Sequence, residues 1–106
     1  MSTPAIGRIV HYTLSDNDAK RVNKRRDDAI RRAHENREHL EETGWQTHYG
    51  NRVNAGEVYP MLIVRVWNLD PGTVNGQVFL DGNDTLWVPS VSVGEGERTF
   101  SWPPRV

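Results

Sequence analysis

The sequence predicts an α+β fold: a small, bent, antiparallel β-barrel of about five strands, with one long helix inserted after the first strand. Three observations carry this. A run free of glycine and proline from Asp16 to Thr43 reads as helix. Every other apolar run is short, rich in β-branched and aromatic residues, and bounded by turn signals. Finally, the chain has 106 residues, enough for one domain spanning 1–106 but not for a large core.

Residues 6–14, IGRIVHYTL, read as the first strand, with Ile9, His11 and Thr13 facing one way and Val10, Tyr12 and Leu14 the other. Ser15 followed by Asp18 is a capping pair at a helix start. The helix is expected over 16–43, ended by Gly44, with Asp27–Arg31 and Asp28–Arg32 as i,i+4 pairs. Unbroken it would be roughly 40 Å long, against about 25–30 Å for a barrel built from the rest. It therefore either breaks near His34–Asn36 or projects and packs on another subunit. Ala19, Val22, Ala29, Ile30, Ala33 and Leu40 share one face, with Arg26 and Arg37 inside that stripe. An arginine there needs a carboxylate such as Glu38 or Glu41, or a ligand phosphate. Residues 20–32 are basic and 35–42 acidic, so two such helices packed antiparallel would be complementary.

A polar loop with three glycines follows at 44–57. Strands are expected at 58–67, with Leu62, Val64 and Val66 inward, and at 74–80, 85–93 and 98–102, the last stopped by Pro103–Pro104. NLDPG at 68–72 and GEGE at 94–97 are turns. Asp81–Gly82 is a two-residue hairpin signal that wants a positive φ at Gly82. The same stretch has a second reading, in which Asn83, Asp84 and Trp87 line a pocket rim. It fails as a calcium loop, because glycine stands second and Ser92 twelfth from Asp81.

Composition removes several function classes. There is no cysteine, so thiolate metal sites, disulfides and cysteine nucleophiles are out. A net charge of −1 argues against a general nucleic-acid or membrane binder. No apolar run reaches the ~18–20 residues of a membrane span. The start, MSTPAIGRIV, lacks the basic and apolar regions of a signal peptide, so a cytoplasmic protein is expected. His34 and His39 are five apart, not the three or four that suit a shared metal. No serine, threonine or lysine has a recognisable nucleophile setting. The expectation is a protein that is not an enzyme, with no cofactor and no metal. Hydrophobic residues are 36%, so a partner copy is expected to supply part of the core. Of the four tryptophans, Trp45, Trp67, Trp87 and Trp102, two are expected in the core.

GRIVHYTL, then ND with NKRR, HYGN, GEVYP, VRVW, VNGQVFLDGND, LW and a terminal GEG…WPP together resemble a family of small bacteriophage-encoded proteins with an SH3-like barrel body. The resemblance covers nearly the full length and is more specific in the second half. The helix is long for that family. Small phage proteins of this general kind include homo-oligomeric anti-defence sponges, such as the Thoeris anti-defence, sequestin and lockin proteins, which bind nucleotide immune signals. The resemblance implies a non-enzymatic oligomer in the host cytoplasm. It would sequester a cyclic ADP-ribose isomer, an ADP-ribose conjugate or a cyclic oligonucleotide. Tyr12, Asn23, Arg25, Arg26, Asn83, Asp84 and Trp87 are the ligand-binding candidates: arginines for phosphate, aromatics for base, amide and carboxylate for polar edges. The alternatives are a particle or assembly accessory protein and a nucleic-acid-binding modulator acting through residues 20–32.

Overall fold

The computed structural model describes residues 3–36, 44 and 50–104. Five strands and one helix follow in the order β1 (Ile9–Thr13), α1 (Asp16–Glu35), β2 (Val58–Asn68), β3 (Thr73–Phe79), β4 (Thr85–Val93) and β5 (Thr99–Ser101). The strands close into a barrel, β1-β2-β3-β4-β5, with β1 seated between β2 and β5. The fold is the expected α+β small barrel with its helix in the β1–β2 connection.

Four seams of the barrel are antiparallel, and β4–β5 is parallel at Ser92–Thr99 and Val93–Phe100. The sequence reading had all seams antiparallel. An odd-membered ring of alternating strands cannot close that way, so one pair must run together. The tight loop between β4 and β5 makes this possible. Gly94 N–H donates to Phe100 O, Thr99 Oγ1 donates to Gly96 O, and Arg98 turns the chain at φ +59°.

Strand β1 alternates as expected, with Val10, Tyr12 and then Leu14 inside. Strand β2 does not. Met61 and Ile63 point inward, whereas Val64 is exposed and Leu62 only half-buried. The register shifts between Ile63 and Arg65, and Val66 then packs against the core from the opposite parity. An irregularity of this kind reverses every side chain beyond it, so a strict period of two placed Leu62 and Val64 on the wrong face. Further shifts at Val66–Asn68 and Val74–Gly76 bend the sheet enough for a small barrel to close.

Helix α1 begins with the capping pair the sequence announces. Ser15 Oγ accepts from Asp18 N–H at 3.1 Å, and Asp18 Oδ2 accepts from Ser15 N–H at 3.0 Å. Asn36 closes the helix, its N–H donating to Arg32 O. The remainder of the expected helix, 37–43, lies outside the described residues, as do Glu38, Glu41 and Trp45. Asp18, Ala19, Val22 and Arg26 form the buried face, while Ala29 and Ile30 are exposed. Surface pairing along the helix differs from the expected order. Lys20 bonds Asp16, Lys24 and Arg31 share Asp28, and Asp27 takes Arg52 from the following loop.

The core joins Tyr12, Met61, Ile63, Val78, Val91 and Phe100 from the barrel to Ala19 and Val22 from the helix. None of the described tryptophans is fully buried. Trp67 and Trp87 are about half exposed, and Trp102 packs edge-on against Phe100 with Arg8 over its ring. No described helix is long and apolar enough to cross a membrane.

Candidate functional site

Side chains from the middle of helix α1 reach the β3–β4 turn and the start of β4, and Arg25, Arg26 and Asp84 meet there. Arg25 and Arg26 are consecutive on the helix, so they leave it in different directions. Both nevertheless reach Asp84. Arg26 Nη1 donates to Asp84 Oδ2 at 2.7 Å and Arg25 Nη1 to the same oxygen at 2.9 Å. Arg25 Nη1 also donates to Thr85 O at 2.7 Å, and Arg26 Nε to Asn51 O at 3.3 Å.

Arg26 is only 5% exposed. Its guanidinium lies flat against Gly50, where any side chain would collide with it. Gly82 is packed beside it: a Cβ there would sit 2.9 Å from Gly50 Cα and 3.1 Å from Arg26 Nη2. The two glycines are therefore needed for close approach of backbone to guanidinium. Gly82 is not in the left-handed region, contrary to the hairpin expectation. The β3–β4 connection runs from Leu80 to Asp84, longer than the two-residue turn that would require positive φ. The turn is held by Gly82 N–H to Leu80 O and by Asn51, whose backbone N–H donates to Asp81 O and whose Nδ2 donates to Asp81 Oδ2.

Removing Asp84 from water works to raise its pKa. The hydrogen bonds from Arg26 and Arg25 outweigh that, and the carboxyl lies below its ordinary value. Asp84 Oδ1 and Arg26 Nη2 are both buried without a hydrogen-bond partner.

Two further candidates are taken up by the fold. Tyr12 is fully buried, and its hydroxyl donates to Asp18 Oδ2 at 2.5 Å. Burial, and then the hydrogen bond to Asp18, push the phenol well above its ordinary range. No face of its ring is open to a ligand, because an even-numbered position on β1 points into the barrel. Asn23 clips the loop after the helix: its Nδ2 donates to Val53 O at 2.9 Å, and its Oδ1 accepts from Val53 N–H at 2.8 Å. Asn83 stands exposed at the β3–β4 turn.

Trp87 is the candidate that remains open, 53% exposed on the outer face of β4. It lines a cleft of about 200 Å³ together with Ser15, Asn17, Asp18, Arg21, Val88, Pro89 and Arg98. The helix start forms one wall and the β4–β5 corner the other. Asp18 is already engaged, accepting from Tyr12 and Ser15. Among the described residues neither Arg21 nor Arg98 forms an ion pair, so the cleft carries two uncommitted cations. Arg98 is positioned twice over: its N–H donates to Thr13 O at 2.8 Å and its Nη2 to Pro89 O at 3.0 Å. Arg98 and Ser90, beside Pro89, are the two described non-glycine residues at positive φ, 59° and 52°. Backbone held in that region gathers where a site needs an unusual direction.

The arrangement can bind an anion carrying a flat ring: two guanidiniums supply charge-assisted hydrogen bonds and an indole face supplies stacking. Sequence reasoning missed Arg21 and Arg98. Arg21 had a local signal, four residues before Arg25 and so on the same helical side. Arg98 had none, since β5 and its loop bring it beside Trp87. Among the described residues no cluster of three or more histidines and carboxylates could hold a metal. No protein family matches the chain, and no curated protein or solved structure is similar to it.

Proposed function

We propose that this protein is a non-enzymatic binding protein for a nucleotide. Arg21 and Arg98 hold phosphate, and Trp87 stacks on the base. The observation that carries the reading is the meeting of two unpaired arginines and a half-exposed indole in one cleft. Arg25 and Arg26, the arginines first read for this role, face Asp84 instead, so the phosphate subsite moves one helical turn toward the start of α1. A cleft of about 200 Å³ falls below the roughly 300–1,000 Å³ of a complete small-molecule pocket. It encloses a phosphate and part of a base, and the rest of the ligand extends over Trp87.

The resemblance to small phage proteins supplies the biological setting: sequestration of a nucleotide immune signal in the host cytoplasm, without turnover. The test is calorimetry with a panel of mono- and dinucleotides, followed by heating the complex and analysing what is released. Intact nucleotide supports a sequestering protein. Altered nucleotide overturns the non-enzymatic part, and no heat with any member of the panel overturns the whole.

A further inference from the structure

Phe79 and Trp87 are diagonal neighbours on the outer face of the β3–β4 pair. Gln77 stands opposite Trp87 and Phe79 opposite Thr85, while Val78, Leu86 and Val88 fill the inner face. Phe79 is 43% exposed and Trp87 53%. Diagonal positions on one face lie about 7–8 Å apart, so the two rings offer adjacent platforms. Two flat groups joined by a short flexible link can stack one on each.

A third cation lies along the edge of β4 that faces away from β3. Arg25 Nη1 donates to Thr85 O, the carbonyl of the residue opposite Phe79 and two before Trp87. Its side chain is 41% exposed, and among the described residues its Nε and Nη2 make no hydrogen bond. Arg21 is one turn earlier on the same side of the helix and lines the cleft beside Trp87. Arg25 is paired with Asp84, so the free guanidinium donors beside this stacking surface are those of Arg21 and Arg98 in the cleft. Apolar stacking surface edged with cationic donors matches a ligand whose bases alternate with phosphates.

Building on the nucleotide-binding reading above, we propose that the ligand is a dinucleotide. One base stacks on Trp87 at the cleft, the second on Phe79, and phosphates meet Arg21 and Arg98. A single-base nucleotide would leave Phe79 unused.

Calorimetry with ADP and the linear dinucleotide pApA tests this, because both carry two phosphates and pApA adds a second nucleoside. The expected result is that pApA binds at least about tenfold more tightly, in line with one extra stacked base. Phe79→Ala should remove that advantage and leave ADP binding unchanged, while Phe79→Tyr keeps it. Circular dichroism checks that the exposed substitution leaves the fold intact. Equal affinities of the wild-type protein for ADP and pApA overturn the inference without touching the nucleotide-binding reading. So does unchanged pApA binding by folded Phe79→Ala. Binding of neither compound overturns both.

Discussion

Arg26 Nη1 and Asp84 Oδ2 lie 2.7 Å apart and bolt the middle of helix α1 to the β3–β4 turn. The guanidinium is almost wholly buried and the carboxylate is three-quarters so. Removing Asp84 leaves the Arg26 guanidinium buried and uncompensated, while removing Arg26 empties the guanidinium's buried space and leaves Asp84 with Arg25 alone. Arg26→Ala is therefore expected to destabilise the fold by about 3 kcal/mol, read as a lower urea midpoint. Any loss of nucleotide binding in that variant follows from the loss of structure. An unchanged midpoint would show that the pair contributes nothing net.

The same pair gives stability a dependence on pH. The carboxyl of Asp84 is held below its ordinary value of 3.8 in the folded state. A group depressed on folding stabilises above its unfolded pKa and loses that contribution as pH falls through the folded one. The difference in urea midpoint between wild type and Asp84→Asn should thus be constant near neutral pH. It should shrink below about pH 4. A difference that stays flat down to pH 2.5 would sink the claim.

Gly50 and Gly82 should tolerate no side chain, for reasons of space. Gly50→Ala places a methyl group against the Arg26 guanidinium, and overpacking of this kind costs about 1–3 kcal/mol. If that clash is the cause, Arg26→Ala should relieve it. The double variant would then be less destabilised than the sum of the two single ones. Additive losses would point to the backbone at Gly50 instead.

Tyr12→Phe should weaken the fold by about 1–2 kcal/mol, since Asp18 loses a buried donor while the ring still fills its place. In the wild-type protein, ultraviolet absorbance during alkaline titration should show the Tyr12 phenol still protonated past pH 10, ionising only as the chain unfolds. A spectrum in which all three tyrosines titrate before unfolding would contradict this.

Trp87→Ala and Arg21→Ala should each reduce nucleotide affinity by roughly 10- to 100-fold and leave the melting temperature within a few degrees. Arg65→Ala, whose guanidinium lies over Trp67 rather than in the cleft, should bind as wild type does. Equal binding by all three would place the site elsewhere.

Local chemistry in the sequence determined where α1 starts, through Ser15 and Asp18. It also determined the strands and which face of β1 is buried. Short-range rules apply there: a cap reaches three residues, and alternation needs only a straight strand. The small barrel with one helix followed from short strands, short turns and one long insertion. Tertiary structure decided the rest. Bulges in β2 exchanged its faces, because register is shared with β3 and cannot be read from one strand. An odd strand number forced β4 and β5 to run parallel. Arg26 met Asp84, and Trp87 met Arg98, across separations that no periodicity spans. Tyr12 and Asn23 had suitable chemistry for a ligand, but burial and backbone clips used it for the fold. Only closure of the barrel brought Arg21, Arg98 and Trp87 to one cleft, since each comes from a different element and none carries a local mark of the others.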